Sequence, residues 1–426
     1  MTRIRELAEQ TPATRARHVD LFRAVAITAV VVGHWLIMVV EYDRRGALDG
    51  TSALRDLTWA HPVTWLFQVM PLFFMVGGFA NALSYQRQRE RSRTPAQWLL
   101  DRGARLVRPT VVLLVALAAG AAVTRLLGAA PDQIGRAVWL ATLPLWFLIA
   151  YLGVVALTPV MFRLHERAGL AVPVVLLVPV VAGDLLRFRY GEAWAYGNFA
   201  FAWLAIHQLG FAWRDGRFGQ RAATGLLAGG LAGLVLLTVA GPYPVSMVTV
   251  PGAELQNSSP PSLALVALAA AQLGLVLLLA GPAERWLRRR RPWLAVVAAN
   301  AVILTVFLWH MTAAVLTTVA LHLLDRLPTF DVRSAEWLLW RVPWLAALAI
   351  VLAVLVAIVG RVETMRVAPA ADRPMWLVAA GYVAMMVGLL WQALAGSASH
   401  GPFALPTGAL VLFLAGAAVL LVVPRR

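Results

Sequence analysis

Apolar residues run in stretches of about 20 along almost the whole chain, and short polar segments between them hold nearly all the charge. Each stretch is long enough to cross a ~30 Å hydrocarbon core as a helix. Length and helix breakers place twelve spans, at roughly 21–41, 62–84, 109–128, 138–161, 169–186, 195–213, 222–241, 262–281, 293–323, 336–360, 375–395 and 406–423. The ninth is long enough to tilt or break, and Pro173 and Pro179 interrupt the fifth, so eleven is the alternative count. The expected fold is all-α: a polytopic integral membrane protein of 11–12 transmembrane helices. The first run lacks a small-x-small cleavage site and reads as a retained helix. The sequence carries no clear internal repeat, no low-complexity stretch and no linker to a second domain.

Composition agrees. Of 426 residues 60% are hydrophobic and 14% charged, with a mean hydropathy of +0.73; a soluble domain carries about 25% charged residues. The net charge is +16, and all 37 basic residues are Arg. They sit almost entirely between the apolar runs, so anionic lipid headgroups explain them better than nucleic acid, and no nucleic-acid partner is expected. With the N-terminus inside, 26 arginines fall on inner segments and 8 on outer ones, while Arg23, Arg125 and Arg341 lie within spans. The expected protein is a multi-pass component of the cell (plasma) membrane with both termini cytoplasmic. The absence of cysteine excludes disulfides, thiolate metal sites and Cys nucleophiles. No His/Asp/Glu cluster has metal-ligand spacing, so no metal is expected, and no P-loop or dinucleotide fingerprint occurs.

Within the first run, Arg23 and His34 are eleven residues apart, about 20° beyond three helical turns, so their side chains share one face at an axial separation of about 16 Å. Asp20 precedes Arg23 by three residues and can pair with it. An ionisable group inside a span is costly and usually faces the bundle interior or water. His34 thus has two readings: a general base in a polar cavity, or a hydrogen-bonded packing residue. Arg23 taken alone suits snorkelling to the interface.

The second run holds Pro71 and the pair Gly77-Gly78, which suits close helix packing, with Gln68 and Asn81 as polar positions. The following segment is strongly basic. Thr94 can cap a helix with Pro95 at its first position, and Arg102, Arg105 and Arg108 recur at i, i+3, i+6. Its two readings are an amphipathic interfacial helix on anionic lipid and an anion-binding face. Asp184, at the outer end of the fifth span, has two readings, an acceptor-orienting residue and an interfacial one, of which the second is preferred; His207 and Asn300 read as interhelical hydrogen bonders. The loop 242–261 reads as an outer cap.

Taken in order, these elements resemble acyltransferase family 3. Val19-Asp20-Leu21-Phe22-Arg23, then ten residues and His34, is similar to the family's Leu-Asp-x-Leu-Arg…His opening. Phe73-Phe74-Met75-Val76-Gly77-Gly78-Phe79 is similar to Phe-Phe-x-x-Ser-Gly-Phe, with Gly77 in the place of Ser, so that hydroxyl is missing here. Arg102, Arg105, Arg108 and Pro109 match Arg-x-x-Arg-x-x-Arg-Pro; Trp146-Phe147-Leu148 matches a Trp-Phe-Leu element; Phe307-Leu308-Trp309-His310 matches a late Phe/Tyr-Leu-x-His.

The resemblance implies a ten-helix acyltransferase core plus extra helices. Its organisation would be a cytoplasmic tail at 1–20, the acyltransferase-3-like transmembrane domain at 21–360, and additional C-terminal transmembrane helices at 361–426. It implies O-acyl transfer from acyl-CoA, with acetyl-CoA the expected donor, to a hydroxyl of a sugar, glycan or glycosylated metabolite. The enzyme would be an acyltransferase moving groups other than aminoacyl groups. Arg23 and His34 would be catalytic. Arg102, Arg105 and Arg108 would bind substrate on the donor side, together with Trp146 and His310. The rival reading is a multi-span transporter or flippase for a glycan or small metabolite, which should show repeat symmetry between its halves.

Overall fold

The computed structural model describes residues 6, 9, 11–12, 15–42, 48–365, 373–397 and 401–422. Its principal helices are α1 (Arg17–Ile37), α2 (Met70–Glu90), α3 (Pro95–Leu126), α4 (Pro131–Thr142), α5 (Leu145–Ala168), α6 (Ala171–Tyr190), α7 (Asn198–Arg214), α8 (Gln220–Val235), α9 (Leu263–Trp286), α10 (Arg290–Ala301), α11 (Ile303–Leu323), α12 (Ala335–Val359), α13 (Met375–Leu394) and α14 (Thr407–Leu421). Among the described residues, ten helical segments are long and apolar enough to cross a membrane, and α14 is a shorter apolar helix. The shorter α7 occupies the place of the expected sixth span. The protein is an all-α polytopic membrane protein.

Four boundaries differ from the sequence expectation, each for a local reason. The first span ends at Ile37, and Met38–Tyr42 (β1) pairs antiparallel with Leu48–Ser52 (β2), Met38 opposite Ser52 and Tyr42 opposite Leu48. The valines at 39 and 40 favour such a ladder. The third span starts earlier: Thr94 and Gln97 form a capping box and Pro95 opens α3, so the three basic-motif arginines share one continuous helix with the apolar run. The interfacial segment expected there is therefore no separate helix. The fourth span is interrupted at Leu143-Pro144, where the ring supplies no N–H. The ninth breaks at Val302 (φ −131°, ψ 17°) into α10 and α11. The freed N–H groups of Leu304 and Thr305 donate to the Glu363 carboxylate at 3.0 and 2.8 Å, and the Thr305 hydroxyl donates to it at 2.8 Å.

The chain divides into two compact units. The first comprises Met1–Val30, Leu57–Arg87 and Leu157–Ile303. Its tightest packing joins α2 to α7 at Gly78 and Gly210. A Cβ on Gly78 would collide with the His207 carbonyl oxygen, and one on Gly210 with that of Met75. Beside this contact Asn81 and His207, both fully buried, bond at 3.0 Å. Gly78→Ala is expected to cost about 1–3 kcal/mol, the usual penalty of overpacking, read as a lower unfolding midpoint in detergent; an unchanged midpoint would refute this account.

Asp184 is the polar centre of the same unit. It is 1% exposed, enclosed by groups of its own unit. One oxygen accepts from the Tyr243 hydroxyl (2.8 Å) and the Leu263 N–H (2.7 Å); the other accepts from the Asn198 amide (3.1 Å) and lies 3.4 Å from Arg187 Nε. The segment after α8 is thereby pinned onto the helices of its own unit. Gln68 donates to Met247 O (2.6 Å), Trp65 to Val245 O (2.7 Å) and Arg187 to Gln256 O (3.3 Å).

The second unit comprises Val31–Asp56, Gln88–Ala156 and Leu304–Arg426. It holds the C-terminal part of α1, the hairpin, α3, α4, the N-terminal half of α5, and α11 to α14.

Candidate active site

His34 sits in the last turn of α1, within the second unit. Its Nδ1 lies 2.9 Å from Nε2 of His310 on α11, and the two rings stack with centroids 5.1 Å apart and planes 11° from parallel. On its other side, His310 Nδ1 lies 2.5 Å from the Phe307 carbonyl oxygen. A carbonyl only accepts, so His310 Nδ1 must carry a proton. Neutral His310 then offers a lone pair at Nε2, which accepts from His34 Nδ1–H. A neutral His34 is left with its lone pair at Nε2. His310 is fully buried whereas His34 keeps part of its surface accessible, so His34 is the reachable member of the pair.

Neighbouring contacts fix this arrangement. The Trp35 indole donates to His310 O at 3.0 Å, tying α1 to α11. The α12 face bearing Trp337, Arg341 and Trp344 covers the end of α1. Trp344 donates to Trp35 O and Arg341 to Met38 O, both at 3.3 Å, while the Arg341 guanidinium lies 3.9 Å from the Trp337 ring centre. Carbonyls at a helix end need such donors.

The basic-motif arginines lie in the same unit. Arg102 is partly buried and donates to the Tyr151 hydroxyl at 3.3 Å, while its Nε is buried without a hydrogen-bond partner among the described residues. Arg105 is exposed, and Arg108 is half-buried. Aromatic packing runs from Tyr151 to Phe147 (centroids 5.5 Å), from Phe147 to Phe307 (5.2 Å) and from Phe307 to His310 (5.9 Å). Arg102 is thereby linked to the histidine pair through contiguous side chains. Trp146 is 36% exposed and meets Phe147 edge-on at 6.5 Å.

Arg23 belongs to the first unit. Helix α1 is unbroken between Arg23 and His34, so their axial separation is about 16 Å. Arg23 lies 3.7 Å from Asp20, the i, i+3 pairing its spacing suggested, but Asp20 holds Arg15 more closely, accepting from Nε at 2.6 Å and Nη2 at 3.0 Å. Hydrogen bonding to Asp20 raises the Arg15 pKa, with burial opposing it. Asn300 donates to Asp20 O at 2.9 Å, an interhelical bond like that of His207.

Sequence reasoning did not find Trp35, Tyr151 or Glu363, and it named Phe307 only as the first residue of the late motif. Phe307 had a signal, being one turn before His310 and so placed for its carbonyl to take the ring N–H. Tyr151 and Glu363 had none, because their partners are 49 and 58 residues away.

No curated protein and no solved structure matches the chain. Residues 17–362, from the first residue of α1 to the segment carrying Glu363, match the acyltransferase domain of acyltransferase family 3. That stretch contains the histidine pair, the arginines of α3 and the aromatic file between them. The chain belongs to this family and is a multi-pass membrane acyltransferase.

Proposed function

We propose that the protein is an O-acyltransferase that moves an acyl group, acetyl in the simplest case, from acyl-CoA to a hydroxyl of a sugar, glycan or glycosylated metabolite, with His34 as general base. The observation that carries this reading is the His310–Phe307 contact, which directs the lone pair of His34, the more accessible member of the pair, to Nε2.

The acceptor O–H gives its proton to His34 Nε2 as the alkoxide attacks the thioester carbonyl. The tetrahedral adduct then collapses. The C–S bond breaks, the ester forms, and the CoA sulfur leaves with the proton returned by His34. His310 stabilises the imidazolium by accepting from Nδ1–H throughout, and no covalent enzyme intermediate is needed. Arg102, Arg105 and Arg108 bind the donor's phosphates, for which guanidinium forks are suited. Arg23 steers the donor from its own level of α1, and Trp146 lines the acyl path. The membrane is the plasma membrane with both termini cytoplasmic, which puts Arg23 near the inner face and His34 beyond the midplane. Residues 361–426 then add helices to the family's transmembrane domain.

The test uses purified protein and labelled acetyl-CoA in detergent, following CoA release and label transfer to a panel of saccharide acceptors. Transport of an unmodified solute with no CoA release would favour the rival transporter reading. His310→Leu removes the acceptor for His34 Nδ1–H, so either tautomer of His34 can form. Its expected kcat loss is on the order of 10²-fold, the low end for general-base catalysis, with an unchanged KM for donor. Wild-type turnover in this variant would remove His310 from the mechanism.

A further inference from the structure

The C-terminal helices α13 and α14 lie outside the matched region 17–362, yet they reach the segment of α3 that bears Arg102. Tyr382 on α13 is 1% exposed, and its hydroxyl donates to Leu99 O at 2.9 Å, three residues before Arg102. Gly103, the residue after Arg102, has no room for a side chain. A Cβ there would meet the Tyr382 hydroxyl at 2.6 Å and collide with Leu420 of α14. The two helices are themselves locked backbone to backbone: a Cβ on Gly388 would lie 2.7 Å from Ala409 O, and one on Gly381 3.2 Å from Gly416 O. A stiff pair therefore presses one phenol hydroxyl and one leucine onto a single turn of α3. Within that turn Arg102 holds a buried Nε–H with no acceptor among the described residues, besides its bond to Tyr151.

We infer that the C-terminal helix pair is a positioning element of the donor site, and that Tyr382 sets the register of the turn presenting Arg102 through its hydrogen bond to Leu99 O; this rests on the reading of Arg102 as a donor-phosphate ligand. A helix pair that only covered α3 against lipid would need neither a buried hydroxyl bonded to the backbone nor a glycine at the crossing. Both features fall beside Arg102, and Tyr151 holds its guanidinium from another helix.

The experiment measures binding of labelled acetyl-CoA to the full-length protein in detergent, with the unfolding midpoint read in parallel. The variants are Tyr382→Phe, Arg102→Gln and the double variant. Tyr382→Phe is expected to weaken acetyl-CoA binding about 3- to 10-fold, the loss that goes with one hydrogen bond. In the Arg102→Gln background the same change should have no further effect, because the hydroxyl acts through Arg102. Leu420→Ala, which loosens the same crossing without touching a polar group, should weaken binding in the same direction. Wild-type affinity in a folded Tyr382→Phe protein overturns the inference. So do additive losses in the double variant, which would mark a general loosening of the fold. Absence of acetyl-CoA binding by the wild type would instead defeat the donor reading itself.

Discussion

His34→Ala is expected to lower acyl transfer by on the order of 10²–10⁴-fold, the range a positioned general base contributes. The variant should keep its unfolding midpoint within the small change expected of a partly accessible residue, and donor binding should persist, because the arginines proposed to bind the donor lie on α3. The loss should appear in kcat. His34→Gln is the sharper control: its amide can still donate to His310 Nε2, but it offers no basic nitrogen. Equal inactivity of the Ala and Gln variants, with the His310→Leu loss smaller than both, is the ordering that a base and its tautomer-holding partner produce. Measuring label transfer across the three variants decides it. Full activity in His34→Gln would eliminate proton abstraction by this residue.

Asp184→Ala carries the largest expected effect on stability. Four groups converge on this carboxylate, from α6, α7, the segment after α8, and the first turn of α9. Arg187, one turn along α6, is 4% exposed, and no other carboxylate is paired with it among the described residues. Removing Asp184 leaves a buried cation uncompensated, together with an orphaned backbone N–H at Leu263. The cost of breaking such a pair is about 3–5 kcal/mol. The unfolding midpoint in detergent should fall steeply, and proteolysis should open the 241–262 segment first. Asp184→Asn keeps an acceptor for Tyr243 and Leu263 but loses the charge, so it should fall between wild type and Ala. A midpoint unmoved by Asp184→Ala would show that Arg187 finds solvent and that the clamp is dispensable.

Much of this molecule was legible in one dimension. Burial in a bilayer is decided residue by residue through transfer free energy, so runs of apolar residues located the spans without any knowledge of partners. Local chemistry was legible too. Thr94-Pro95 opens α3 because capping is a matter of adjacent residues, and the Asp20–Arg23 approach follows from helical spacing. The order of short motifs was sufficient to indicate the family that the match over 17–362 establishes.

Tertiary structure decided everything that depends on two distant segments meeting. Met38–Tyr42 leaves the helix because a second strand is present to satisfy its backbone, which no window around residue 40 displays. The ninth span breaks at Val302 and is tolerated because Glu363 accepts the N–H groups the break exposes. Asp184 is buried because Tyr243 and Leu263 come to it across 59 and 79 residues. The same holds at the candidate site. The sequence singled out His34 and His310 separately, but their bond spans 276 residues. Which ring nitrogen of His34 is left basic follows only from that bond and the Phe307 carbonyl behind it, because a tautomer is set by hydrogen-bond partners and not by neighbours in the chain.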